Sequence, residues 1–256
     1  MQGEASASYE KTAEAHAILL NDPSFQFDRA NFDPPQTLGW LRWIGLRLLA
    51  LMAALVLLFS VVNPPTSWTI IAGQREFPGR AERQWTDIDD IAPQMVRAVV
   101  AAEDANFCRH WGFDMVEIRR VIASGSSRGA STITQQTAKN VFLWQGRSWP
   151  RKALETLYTP MIEALWSKRR IVEVYLNLAE FGRGVFGVHA AAQHYFKTTP
   201  DRLTMAQAAA LASILPAPKT RNPQTGSART RAIVSGARTI QADGRDSCLV
   251  LLPPGR

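Results

Sequence analysis

The sequence predicts a mainly α domain carried behind a single N-terminal transmembrane helix. Three observations support this. One long, almost uncharged apolar run lies near residue 50, apolar residues recur at helical spacing from residue 93 onward, and alternating strand patterns are scarce. With 256 residues, 46% hydrophobic and 20% charged, the chain has room for one sizeable folded domain plus appendages.

Residues 1–41 are polar, with Pro34 and Pro35 near their end, and read as a cytoplasmic tail. Residues 42–62 read as a transmembrane signal anchor, since about twenty helical residues span the hydrocarbon of a bilayer. A buried core helix has a similar composition, but this segment has no polar face to turn toward water. Arg42 and Arg47 lie at its N-terminal end, and no Lys or Arg follows Val62 until Arg75. That bias puts the N-terminus in the cytoplasm and the remainder outside. A cleaved signal peptide fits poorly, because the leader is long and Asn63, Pro64 and Pro65 stand where small residues are needed. Residues 1–47 carry a net charge of −2 and the rest +9. A basic exported domain suits anionic headgroups or a phosphorylated substrate, and on that side of a membrane nucleic acid is excluded.

Residues 63–92 form a connector containing Pro and Trp, without sustained periodicity. The folded domain is expected over residues 93–223, with Pro93 in the first turn of a helix. Val96, Val99 and Val100 mark that helix. Leu154, Leu157, Tyr158, Met161 and Leu165 mark a second, in which Pro160 predicts a kink. A third covers residues 168–181 and stops at Gly182. A fourth opens on the capping-box pattern of Thr204 and Gln207 and ends before Pro216 and Pro218. Residues 224–256 read as a C-terminal tail, in which 228–241 can form a helix stopping near Gly244. Cys108 and Cys248 both fall on the exported side, where an oxidising compartment permits a disulfide; two free thiols are the alternative.

Three groups carry candidate chemistry. Glu103 lies seven residues after Val96, four after Val99 and three after Val100, so an apolar stripe ends on a carboxylate. Lost hydration raises the pKa of such a group toward the range of a general base, unless the side chain reaches out to water. Next, Gly129 to Gln136 precedes Lys139 and Asn140. Ser131 or Thr132 can cap a helix there, and Thr132, Gln135, Gln136 and Lys139 share one face, suited to a sugar or pyrophosphate or simply to solvent. Third, Arg147, Arg151 and Lys152 can hold an anionic leaving group with Glu155 orienting them, although Arg151 and Glu155 also have the spacing of a surface pair. Glu173, Asn177 and Glu180, with Arg169 placed to pair with Glu173, read as a solvated or structural face. Neither a phosphate-loop motif nor a metal cluster is apparent.

Taken in order, these segments resemble the family 51 peptidoglycan glycosyltransferases. Glu103, Asp104, Ala105, Asn106 and Phe107, followed by His110 and Gly112, are similar to the first motif. Gly129 to Gln136 with Lys139 and Asn140 resembles the second, Arg151 to Glu155 the third and Arg170 to Asn177 the fourth. Leu203 to Pro218 resembles the fifth, with Gln207 where Glu is more usual. A transpeptidase half would need Ser-x-x-Lys and Lys-Thr-Gly. The one Ser-x-x-Lys runs from Ser8 to Lys11, and Lys219 and Thr220 are followed by Arg221, so the likeness is to the monofunctional type.

The resemblance implies a lysozyme-like helical domain resting on a bacterial inner membrane, its catalytic part periplasmic. It implies a donor site for the growing glycan strand and an acceptor site for lipid II, joined by an inverting displacement. Glu103 would act as general base and Glu155 as a second catalytic group. Lys139, Arg147, Arg151 and Lys152 would stabilise the departing pyrophosphate. Asp104, Phe107, His110, Ser131, Thr132, Gln135, Gln136 and Asn140 are further substrate-binding candidates. No cofactor is required, although a divalent cation can assist at the pyrophosphate. Membrane lipids and other cell-wall synthesis proteins are implied partners. A muramidase or lytic transglycosylase is the enzymatic rival, and would not need the basic cluster. A non-catalytic adaptor would not need Glu103 and Glu155.

Overall fold

The structure, a computed structural model, describes residues 36–79, 83–125, 130–146 and 148–251. The tail read over residues 1–41 therefore lies almost wholly outside the described residues. The chain divides into two compact units, residues 1–51 and 52–256.

Helix α1 runs Gln36–Val61, starting ahead of residue 42, where the span was expected to open. Its segment Gly39–Val61 is long and apolar enough to cross a membrane, and only 6% of its most apolar window is buried. That exposure removes the core-helix alternative, because a core helix hides its apolar surface. Within the first unit the Arg47 guanidinium lies 3.6 Å from the centroid of the Trp43 ring, a cation–π contact at the basic end of the span.

In the second unit the end of α1 is built into the domain. Val56 is fully buried, and its carbonyl accepts the Trp166 indole N–H at 2.7 Å. Arg170 donates to the Phe59 and Val62 carbonyls and to Asn63 Oδ1, satisfying acceptors that a helix C-terminus leaves open. Phe59 meets Phe142, which stacks on Tyr158 with centroids 4.4 Å apart. These contacts make the end of α1 part of the folded domain. Deletion of residues 1–51 should leave stability near that of the full chain, whereas deletion of 1–62 should cost about 3–5 kcal/mol through lost burial and hydrogen bonds. Denaturant unfolding of both truncations in detergent checks this; equal midpoints would refute it.

Within the expected connector a nine-residue helix, α2, spans Trp68–Glu76, capped by Ser67, whose side chain accepts from the Ile70 amide. So short an element gives periodicity little room to show. Helix α3, Pro93–Glu103, has Pro93 at its first turn and buries Met95, Val96, Ala98, Val99 and Val100. Helix α4 is Met115–Ser124 and α5 is Ile133–Phe142. Helix α6, Trp149–Leu165, runs on through Pro160. Its buried face is Arg151, Glu155, Tyr158, Thr159 and Ile162, while Leu157 and Leu165 are exposed. The apolar stripe read from sequence is thus displaced, because the buried face opens on ions.

Helix α7 is Lys168–Leu178, ending before the expected Phe181. Glu180–Gly182 instead forms strand β1, paired antiparallel with β2, Val185–Phe186, around Gly184 at φ +74°. A side chain at Gly182 would run into the Tyr195 hydroxyl, which donates to the Phe181 carbonyl. Arg170, not Arg169, pairs with Glu173; Arg169 reaches Asp89. Asn177 is fully buried and bonds the Thr86 amide and carbonyl, so this face is structural.

Helices α8, Gly187–Phe196, and α9, Met205–Ile214, follow. Five consecutive residues of α9, Ala208 to Ala212, are fully buried, and all but Leu211 are alanines, small enough for α9 to lie close against α3. Gln207 closes the α9 capping box with Thr204, work a Glu also does at that position, so its departure from the family pattern leaves the helix start intact. The segment read as a C-terminal tail holds helix α10, Ala228–Ala242, packed on α3 and α9. Gly236 faces Ala101 in that contact, and a Cβ there would meet the Ala101 methyl at 3.4 Å, an ordinary packing distance. Beyond α10, Arg97 pairs with Asp246 at 2.7 Å, Arg169 donates to the Leu249 and Val250 carbonyls, and Cys248 is bonded to Cys108.

Candidate active site

Glu103 ends α3, and its apolar neighbours leave the carboxylate desolvated. Gln136 donates its amide to Glu103 Oε2 at 2.9 Å, and the buried Tyr175 hydroxyl donates to Gln136 Oε1 at 3.2 Å. That chain fixes which way the Gln136 amide faces. Glu103 Oε1 has no partner among the described residues. One carboxylate oxygen is therefore held and the other is buried without a hydrogen bond. Burial raises the Glu103 pKa; the Gln136 hydrogen bond, Arg229 and Lys139 pull it back, and Asp104 adds to the rise.

Lys139 lies one turn after Gln136 on α5. Burial lowers its pKa, Glu155 and Glu103 oppose that, and Arg151 and Lys152 reinforce it. These five ionic groups are thus within electrostatic reach of one another. On α6, Arg151 Nη1 donates to Glu155 Oε2 at 2.9 Å, and Lys152 Nζ pairs with Glu155 Oε1 and reaches Ser131 Oγ. Glu155 is only 3% exposed, so the surface-pair alternative fails. Its two oxygens are each committed to a cation, which makes it a positioning residue. Ser148, Trp149, Arg151 and Lys152 line an open cavity of about 280 Å³. Arg147 lies outside the described residues.

Other candidates sit beneath this surface. Phe107 is 0% exposed and belongs to the core, which corrects its expected substrate contact. Thr132 and Gln135 form a capping box at the start of α5, and the Thr132 hydroxyl donates to the Gly112 carbonyl at 2.6 Å. Both are consumed by structure and do not present a sugar-binding face. Asp104 Oδ2 accepts from the Ile133 amide, tying the end of α3 to the start of α5, and Asp104 Oδ1 meets His110 Nε2 at 2.8 Å. Asn140 is buried. Lys168 braces this layer from below, donating to the His110 carbonyl and to Glu163.

Asp104, His110 and Asp114 offer ligand atoms within 4.8 Å of one another, a cluster the sequence spacing did not reveal. Its acceptors are already used. Asp104 takes Ile133 and His110, while Asp114 takes the Val116 and Glu117 amides and the Asn106 side chain. These residues fit a hydrogen-bonded brace better than a metal site. Near Lys139, both oxygens of Glu155 are held by cations.

Sequence reasoning missed Arg229. It stands on α10, in the segment read as a tail, and its Nε donates to the Ser213 carbonyl at 3.0 Å. Its charge acts on Glu103 ahead of that of Lys139. Arg229→Gln should move the acid limb of the pH–rate profile to higher pH, since the base then ionises later, and Arg229→Lys should restore it. An unchanged limb in Arg229→Gln would remove this role.

Residues 71–239 match the sequence profile of a family described as Transglycosylase. A protein of Jannaschia sp. named biosynthetic peptidoglycan transglycosylase is 52% identical over 203 residues, covering 78% of this chain and 84% of the relative. A protein of the same name from Salmonella schwarzengrund is 49% identical over 196 residues, covering 71% and 81%. One from Cronobacter sakazakii is 48% identical over 195 residues, covering 69% and 81%. The matched span takes in Glu103, the α5 and α6 cations and Arg229 alike, and the chain belongs to the transglycosylase family.

Proposed function

We propose that this protein is a peptidoglycan glycosyltransferase that extends glycan strands, transferring a strand linked to undecaprenyl pyrophosphate onto the 4-hydroxyl of lipid II. The observation that carries this is a desolvated carboxylate, Glu103, with one unbonded oxygen, in electrostatic reach of Lys139, which is in turn in reach of Arg151 and Lys152. Glu103 Oε1 takes the proton from the acceptor hydroxyl as its oxygen attacks the donor anomeric carbon. A single displacement inverts that carbon. The bond to pyrophosphate breaks, and Lys139, Arg151 and Lys152 stabilise the charge that grows on the leaving oxygens. Those cations supply the neutralisation without a cofactor.

The domain works on the periplasmic side of the inner membrane, with α1 as a single-pass anchor and the N-terminus cytoplasmic. The charge asymmetry around α1 supports that orientation. Membrane lipids and other cell-wall synthesis proteins are its proposed partners. Purified full-length protein in detergent, given labelled lipid II, should produce long strands. Shortening of preformed strands would instead indicate a lytic enzyme, and no change in either an adaptor.

A further inference from the structure

Glu103 is the last residue of α3, so its placement depends on what holds the chain that follows. Residues 104–110 contain one short 3₁₀ turn, Phe107–Arg109, which has few hydrogen bonds of its own. On one side the core holds this loop, since Asp104 accepts the Ile133 amide and Lys168 donates to the His110 carbonyl. On the other side the end of the chain holds it. Cys108, five residues after Glu103, is bonded to Cys248, and Arg245 Nη1 donates to the Ala105 carbonyl at 3.3 Å. The segment that makes these contacts, residues 243–250, is itself anchored. Asp246 pairs at 2.7 Å with Arg97, which stands less than two turns before Glu103 on α3. Leu249 is fully buried, and Arg169 of α7 closes on the Leu249 and Val250 carbonyls. All of this segment lies beyond residue 239, where the match to the transglycosylase profile ends.

We propose that residues 243–250 are a strap that positions Glu103 for proton transfer, with the Cys108–Cys248 bond as its lock, so that full activity requires the oxidised chain. The proposal rests on the polymerase function above. Arg245 and Cys248 act as positioning residues, through the backbone that follows Glu103 and not on the substrate. The strap's contacts fall on α3, the 104–110 loop and α7, whereas the cations that hold the pyrophosphate stand on α5 and α6. Opening the lock therefore changes the geometry of the base and leaves substrate binding in place. A displacement of about 1 Å at a reacting group costs up to about 10² in rate. A dithiol opens the lock by exchange. Its two sulfurs join as a disulfide, and two electrons and two protons pass to Cys108 and Cys248, which become thiols.

Full-length protein in detergent is assayed on lipid II with and without dithiothreitol, at a temperature where both forms stay folded. Reduction should lower kcat about 10–100-fold and leave KM nearly unchanged. The Cys108→Ala, Cys248→Ala double variant should start at the lowered kcat and not respond to dithiothreitol, which separates the lock from other effects of the reductant. Hydrogen exchange reads the loop directly. The Asp104, Phe107 and Arg109 amides donate to the Val100, Asp104 and Asn106 carbonyls, and they should exchange faster on reduction while α5 and α6 keep their protection. An unchanged kcat, or a raised KM at constant kcat, overturns the proposal. Faster exchange throughout the domain also overturns it, because the bond is then a general staple. Should the reduced chain unfold, Asp246→Asn, which keeps the bond and loses the Arg97 pair, gives the same reading: kcat falls while KM holds, or the strap has no such role. If oxidised wild type left lipid II untouched while reduction still freed residues 104–110 alone, the polymerase function would fail and the strap would stand.

Discussion

Glu103→Gln is expected to fold normally and to lose about 10²–10⁴ in polymerisation rate, the usual cost of removing a general base. The amide keeps the shape of the carboxylate and can still meet Gln136, but it has no oxygen basic enough to take the acceptor proton. The wild-type profile should be bell-shaped. Activity rises as Glu103 ionises, above the ordinary Glu range because burial raises its pKa, and falls as Lys139 loses its proton, below the ordinary Lys range because burial lowers its pKa. Glu103→Gln should abolish the acid limb of whatever rate remains. Retention of the rate within about tenfold of wild type, less than general-base loss typically costs, would remove Glu103 from the mechanism.

The second large effect is on stability. Glu155→Ala should destabilise the domain by about 3–5 kcal/mol, because it leaves the buried Arg151 without its partner. Activity should fall with it, since Arg151 and Lys152 lose the carboxylate that holds them side by side. The double variant Glu155→Leu, Arg151→Met removes both members of the buried pair and should recover much of the stability but not the activity. Denaturant melts beside rates on lipid II separate the two effects. A double variant as unstable as Glu155→Ala would mean that shape, not unpaired charge, sets the cost.

Much of this was legible in the sequence because it depends on local spacing. The anchor, the apolar stripe ending on Glu103, the capping box at Thr204 and the cation pattern over residues 139–152 each follow from residues within a few turns of one another. What spacing did not separate was which side of a polar segment meets substrate. Thr132 and Gln135 share a face with Lys139, yet they are consumed in starting the helix. Phe107 stands inside a motif of reactive residues and turns into the core. Arg229 was hidden for a different reason, since it reaches Glu103 only through the packing of α10 on α3, more than a hundred residues apart in sequence. The hairpin after Leu178 was masked by apolar residues that continue the helical pattern of α7 until Gly182 and Gly184 turn the chain.

The bond between Cys108 and Cys248 closes a ring of 140 residues of sequence separation, and that ring contains α4 to α10. Its consequence is topological. A single cut anywhere inside the ring opens the backbone without releasing a fragment, so the two pieces remain one covalent object until the disulfide is reduced. A protease that nicks an exposed loop should leave one band on a non-reducing gel and two on a reducing gel. The cations of α5 and α6 and Arg229 lie inside the ring and Glu103 just outside it, so a nicked molecule would still carry every member of the site on one connected chain.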